Sequence, residues 1–364
     1  MLSPMPLTIL HVAYPLAPVG PDAAGGAEQV LTALDAALVA AGHRSLVVAC
    51  AGSRPAGELI VVPRETGVLD EAAIAAARLR HAEAVAAALR DHPEIDVVHM
   101  HGIDFHAYLP PPGPPVLATL HAPFSWYAPA ALHPARPRTV LTCVSAHQHR
   151  SAPPGLPLLD PIPNGVPVEA LRATTGPRGR FALFLGRIAP EKGVDLALDA
   201  AHRAGCALAV AGELFPYPAH QDFFARAVAP RLDRQRRYLG PAGFRRKRRL
   251  LNAARCLLLP ARLPETSSLV AREAMACGAP VIAYPAGALA EVVEPGRTGF
   301  LVETPAAMAE AIRAADRIDP ETCRRTAASR FGLRPMIEGY LAAYDQLARG
   351  GDRPLPVSGL AGAA

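Results

Sequence analysis

ARLPETSSLVAREAMACGAPVIAYPAGALAEVVEPGRTGFLV, residues 261–302, carries two glutamates, Glu265 and Glu273, with seven residues between them. The stretch reads as a helix from Ser267 to Cys277, which Thr266 or Ser267 can cap, then a strand from Pro280 to Tyr284 and a helix from Leu289 to Glu294. Glu265 precedes the first helix, and Glu273 sits roughly 9 Å along its axis at ~1.5 Å per residue. The free N–H groups and the dipole of that helix start suit an anion. A diphosphate there would have a carboxylate near each end, one for sugar hydroxyls and one for ribose hydroxyls. The same spacing also fits a plain helix with one exposed and one salt-bridged glutamate.

Working outward, short β-rich runs alternate with helical patterns over most of the chain. Strands are expected at Leu7 to Tyr14, Ser45 to Ala49, Leu59 to Val62, Asp96 to His101, Pro115 to Leu120 and Thr139 to Val144, with helices at Ala27 to Gly42 and Asp70 to Arg90. A Gly-, Thr-, Pro- and Arg-rich stretch, Leu171 to Arg180, precedes a second start at Phe181 to Leu185. Then follow helix Val194 to Ala204, strand Ala207 to Ala211, a basic helical region and strand Cys256 to Leu259. The rhythm predicts an α/β protein of two doubly wound, Rossmann-like domains facing an interdomain cleft. The expected boundaries are 1–170, 178–333, a last helix at 334–349 that crosses back to the first domain, and a disordered tail at 350–364.

Three further groups can carry chemistry. In FLGRIAPEKGVDLALDA, Arg187 and Lys192 share a strand-to-helix loop with Gly186 and Gly193, so two cations can reach phosphate oxygens. In APVGPDAAGGAEQVL, Gly25 and Gly26 open a helix and permit close approach of backbone to a ligand. The pattern is not G-x-G-x-x-G, which disfavours nicotinamide dinucleotides. His99, His101 and His121, in VVHMHG and ATLHAP, fall at strand ends, where α/β folds place functional groups. His99 reads as a core or surface histidine by default and His121 as the functional one. No third ligand at a recognisable spacing joins His99 and His101, so no metal site is expected.

Composition excludes several classes. Of 37 basic residues, only Lys192 and Lys247 are lysine, and the formal charge is +5. A cluster, Arg231, Arg234, Arg236, Arg237, Arg245, Arg246, Lys247, Arg248 and Arg249, has few interleaved aromatics. A solvated face, or one meeting an anionic membrane surface, is favoured over nucleic acid binding. The six cysteines form no C-x-x-C pair and read as buried thiols of a reducing compartment. No apolar run approaches the ~18 residues of a membrane span. A cytoplasmic protein, at most peripheral to a membrane, is expected.

Taken in order, Gly25-Gly26, HMHG, TLHAP, VSAHQHR, PIPNGV, GRIAPEKG, the glutamate pair and EAMACGAPVIA resemble the family 4 (group 1) retaining glycosyltransferases of GT-B fold. The resemblance implies a nucleotide-sugar donor such as a UDP- or GDP-sugar, an acceptor hydroxyl the sequence does not identify, and no metal or other cofactor. It implies that Arg187 and Lys192 hold the diphosphate, with Ser268 and Leu269 offering backbone amides. Glu273 would bind ribose, Glu265 the transferred sugar, Gly25 and Gly26 would close over the phosphates, and His121 would lie beside the sugar. Many members carry an aromatic-Gly pair after the first glutamate, where this chain has Thr266-Ser267-Ser268-Leu269. The alternatives are an inactive nucleotide-sugar-binding homologue and, ranked lower, a basic nucleic-acid-binding protein.

Overall fold

The computed structural model describes residues 6–172 and 178–350. The middle of the expected separator and the tail beyond Gly350, expected to be disordered, lie outside the described residues. Two compact units emerge: the chain up to Pro163 together with the stretch from Arg334, and Asn164–Leu333.

The first unit holds a parallel six-stranded sheet of β1 (Thr8–Val12), β2 (Arg44–Cys50), β3 (Glu58–Val62), β4 (Val97–Met100), β5 (Val116–Leu120) and β6 (Thr139–Cys143), in the order β3-β2-β1-β4-β5-β6. Helix α1 (Gly26–Ala40) joins β1 to β2, and α2 (Glu71–Asp91), whose start Asp70 caps through Ala73 N–H, joins β3 to β4. Five-residue runs such as TILHV and VLATL are buried throughout, as parallel strands covered on both faces must be.

The second unit repeats the plan with β7 (Phe181–Leu185), β8 (Ala207–Ala211), β9 (Arg236–Tyr238), β10 (Cys256–Leu259), β11 (Val281–Ala283) and β12 (Gly299–Leu301), all parallel, ordered β12-β11-β10-β7-β8-β9. Its main helices are α3 (Val194–Ala204), α4 (Phe244–Ala253), α5 (Leu269–Ala276), α6 (Pro305–Ala314) and α7 (Pro320–Arg330). Alternate strand residues feed two cores: Leu183, Leu185, Leu257 and Leu259 pack against α5, while Ala182, Phe184, Cys256 and Leu258 pack against α3 and α6. Each fully buried Leu or Phe contributes roughly 1.5–3 kcal/mol.

Two edge strands depart from expectation. The region read as basic helix contains β9, whose Arg236 is buried and bonded to Asp233 at 2.9 Å, and the TGFLV segment contains β12. Three-residue strands carry no periodicity of their own; pairing with β8 and β11 creates them. The break between units falls at Asn164, earlier than position 170, because Val166 N–H donates to the Phe331 carbonyl at 2.8 Å. The last helix, α8 (Leu333–Arg349), buries Tyr340 and Tyr344 in the first unit, where their hydroxyls meet Thr119 at 3.2 Å and His99 at 2.6 Å.

Candidate functional site

In both sheets the strand order reverses between the first and fourth strands, β1/β4 and β7/β10, and ligands of such folds bind beyond the carboxyl ends at that point. The chemistry-bearing residues of each unit gather there.

In the second unit, the loop after β7 carries Arg187 and Lys192 and turns through Gly193 at φ +68°, a left-handed conformation where a Cβ would also run into the Pro260 carbonyl. That close approach sets the loop against the end of β10. Lys192 Nζ donates to Glu265 Oε1 at 2.6 Å, and Arg187 pairs with Glu191 at 3.2 Å. The backbone of Glu265 is fixed on both sides: its N–H donates to Ala286 O at 3.2 Å and its carbonyl accepts from Ala288 N at 2.8 Å. Glu273 is 3% exposed, and its partner is Lys247, also buried, on α4. Both motif glutamates are therefore ion-paired.

The helix start differs from expectation. Neither Thr266 nor Ser267 caps α5; its N-cap is Ser268, at φ +56° with no side-chain cap bond. Ser267 is engaged elsewhere, its hydroxyl accepting from the buried guanidinium of Arg272, which packs on the Phe331 ring and which burial holds down to about 10. With α5 beginning at Leu269, Glu273 lies four steps in, roughly 6 Å rather than 9 Å along the axis.

In the first unit, His121 follows β5, half-buried, and Gln148 holds its neighbours by donating to the Leu120 and Ala122 carbonyls at 2.9 and 3.0 Å. His101 Nδ1 lies 3.3 Å from His121 Nε2, and His101 Nε2 lies 3.2 Å from His11 Nδ1. His99 sits between Tyr344 and Thr119, each 2.6–2.7 Å away. Desolvation lowers all four imidazoles, His11 and His121 to about 3 and His99 and His101 well below their usual value, so the chain is neutral at pH 7. His11 is the residue the sequence reading missed; pairing of His11 with His99 across β1 and β4 supplies the third imidazole beside His99 and His101. One nitrogen from each of the three lies within 4.8 Å of the others, close enough for an ion. Every ring nitrogen of His99 and His101, however, already faces a hydrogen-bond partner. The arrangement reads as a hydrogen-bonded histidine chain.

Gly25 is the N-cap of α1, which starts at Gly26, and the buried Glu28 carboxylate packs against Gly25, at the helix start where a ligand phosphate was expected. Gly25, Gly26 and His121 belong to the first unit; Arg187, Lys192, Glu265, Ser268, Leu269 and Glu273 belong to the second. The basic cluster divides. Arg231 pairs with Asp199 at 2.9 Å, Arg236 with Asp233, and Lys247 with Glu273, leaving Arg234, Arg237, Arg245, Arg246, Arg248 and Arg249 exposed. Among the described residues no helix is long and apolar enough to cross a membrane.

Comparison with known proteins fits both halves. Residues 179–315 match the family of glycosyl transferases group 1, and residues 24–170 match glycosyltransferase family 4. This chain belongs to the family 4, group 1 glycosyltransferases. Relatives of this glycosyltransferase include an uncharacterised glycosyltransferase of Methanocaldococcus jannaschii, 28% identical over 46% of this chain and 48% of the relative. Another is the glycogen synthase of Mycobacterium tuberculosis, 31% identical over 56% of this chain and 52% of the relative. The glycosyltransferase thus spans about half the length of the curated relatives it matches. Among solved structures, the sucrose-phosphate synthase of Thermosynechococcus elongatus superposes with a TM-score of 0.75 at 19% identity, covering 93% of this chain and 99% of the other. An Anabaena protein in complex with UDP and glucose gives 0.70 at 19%, with the same coverage. These likenesses establish the GT-B fold for this glycosyltransferase.

Proposed function

We propose that the protein transfers a hexosyl group, with retention, from a nucleoside diphosphate sugar to an acceptor hydroxyl, without an obligatory metal. The observation that carries this reading is the Lys192–Glu265 pair at 2.6 Å beside the start of α5, with Arg187 on the same loop. Arg187 and Lys192 neutralise the leaving diphosphate, and the amides at Ser268 and Leu269 add the partial positive charge of a helix start. Glu265 accepts from sugar hydroxyls and Glu273 from ribose hydroxyls. The sugar–phosphate bond breaks as the bond to the acceptor oxygen forms on the same face, and the acceptor proton passes to a donor phosphate oxygen. His121, neutral, is the candidate positioning group of the first domain. A structural neighbour solved with UDP and glucose supports a nucleotide-sugar donor.

The experiment is a thermal-shift panel of UDP, GDP, ADP and their common sugar conjugates against wild type and the R187A/K192A double variant. A rise of several degrees with one nucleotide, lost in the variant, is expected; no rise with any would overturn the reading. Turnover in EDTA with the product's anomeric configuration read by NMR then tests metal independence and retention. The six cysteines are buried and free, which suits a reducing compartment such as the cytoplasm. The exposed arginines around α4 suit an anionic membrane surface, a contact that salt-sensitive co-sedimentation with anionic vesicles would test.

A further inference from the structure

Only two of the 37 lysine and arginine residues are lysine, and each is bonded to one of the two motif glutamates, Lys192 to Glu265 and Lys247 to Glu273. In both pairs the ammonium donates to a single carboxylate oxygen, Oε1, and no described residue donates to Oε2. Most arginine pairs among the described residues also engage one oxygen, as Arg78 does on Asp104 and Arg231 on Asp199, but a guanidinium can span both. Arg262 spans both oxygens of Asp195 at 2.8 and 2.6 Å, and Arg255 spans both of Asp316 at 3.0 and 2.6 Å. A planar guanidinium matches a carboxylate two-to-two, whereas an ammonium is a point charge that engages one oxygen.

The geometry points to Lys192 and Lys247 as positioning residues that hold each glutamate charged and oriented while leaving one oxygen for a ligand hydroxyl. Lys247 thereby sets ribose recognition by Glu273, and Lys192 sets sugar recognition by Glu265. Removing the charge at position 247 would strand a buried carboxylate; replacing the ammonium with a guanidinium would keep the charge and fill the second oxygen. A merely structural ion pair tolerates arginine. A hydroxyl-accepting one does not. This inference rests on the donor reading above.

The test compares wild type, K247R and E273A in the full chain, by calorimetric binding of UDP, GDP and ADP and of the 2′,3′-dideoxy form of whichever binds. Wild type is expected to prefer the ribonucleotide roughly 10- to 100-fold, the range for a hydrogen bond to a charged acceptor. K247R should melt like wild type yet lose that preference, as E273A should. K247R that keeps the preference overturns the inference while leaving the donor reading intact. E273A that keeps it, or wild type that binds no nucleotide, overturns the reading and the inference together. Should K247R fail to fold, K192R decides at the more exposed pair through the ratio of its affinities for the sugar conjugate and for the plain nucleoside diphosphate, whatever its effect on the diphosphate itself: the gain from the attached sugar should be lost. A retained gain overturns the inference.

Discussion

The two domains share a strand order and gather their polar residues at the same reversal point, but fill it with opposite chemistry. The second domain places charges there, matched in the ion pairs Lys192–Glu265, Lys247–Glu273 and Arg187–Glu191. The first places four neutral imidazoles there: His11, His101 and His121 are joined by hydrogen bonds, and His99, packed beside them, is bonded to Tyr344 and Thr119. One fold can therefore gather charged or uncharged groups at the same point without changing topology. What decides is whether the strand ends carry groups that stay ionised or groups that burial neutralises.

The sharpest way to break this comparison is acid. A native imidazole held near pKa 3 binds no proton over the range where its unfolded counterpart, near 6.5, does. Stability from the histidine chain is thus complete above pH 6.5 and is lost as pH falls toward 3. Each such histidine loses a little over 1 kcal/mol per pH unit, so four together lose on the order of 5. Among the described histidines of the second domain only the partly buried His220 is shifted downward, and the chain's single tryptophan, Trp126, lies in the first domain. Urea melts followed by Trp126 fluorescence from pH 7.5 to 5 should show the first domain weakening steeply. A pH-independent midpoint would mean that the imidazoles are not neutral in the native state.

Next comes the charged site. Glu265→Ala and Lys192→Ala should each lower turnover by about 100-fold or more, the usual cost of removing a charge-stabilising group from a transfer site. Melting temperature should change little in either, because the backbone bonds of Glu265 to Ala286 and Ala288 persist. Full activity in both variants would sink the assignment of the second domain's site. A smaller effect belongs to the neutral site. Tyr344→Phe deletes the hydroxyl 2.6 Å from His99 Nδ1 and should cost about 1–2 kcal/mol by denaturant titration. No cost would show that His99 is held by Thr119 alone.

The comparison also explains which half could be read in advance. The second-domain residues sit in two short segments, 186–193 and 265–273, so their spacing declares them. Their ion-pair partner Lys247 belongs to a separate helix, inside a run of arginines that looks uniformly solvated. The first-domain chain is assembled by strand register: His11 and His101 are 90 positions apart, and only the pairing of β1 with β4 makes them neighbours. His121 was legible from its strand end, but the groups that orient it, His101 and Gln148, were not legible in that role. The cap was misread because Ser267 meets Arg272, a contact that depends on side-chain direction in the folded helix.

The helix starts themselves supply the smallest and most discriminating contrast. In the first domain the N-cap is Gly25 with an ordinary φ of −83°, and its lack of a side chain matters because a Cβ would press on the Glu28 carboxylate. In the second the N-cap is Ser268 at φ +56°, where glycine would be at ease and an L side chain costs roughly 1–2 kcal/mol. Ser268→Gly relieves that strain but loses ~0.5–1 kcal/mol to the greater freedom of the unfolded chain, so a net gain between zero and about 1.5 kcal/mol, centred at roughly 1, is expected. In a domain of this size that is a rise in melting temperature of roughly 2–4 °C. The serine makes no capping bond, so no cap offsets the strain at this position. If Ser268→Gly melts higher yet binds nucleotide more weakly, the hydroxyl contacts the donor and the strain is part of the site. If it melts higher and binds equally, only the backbone amides of this helix start are used, and the contrast between the domains reduces to their charges.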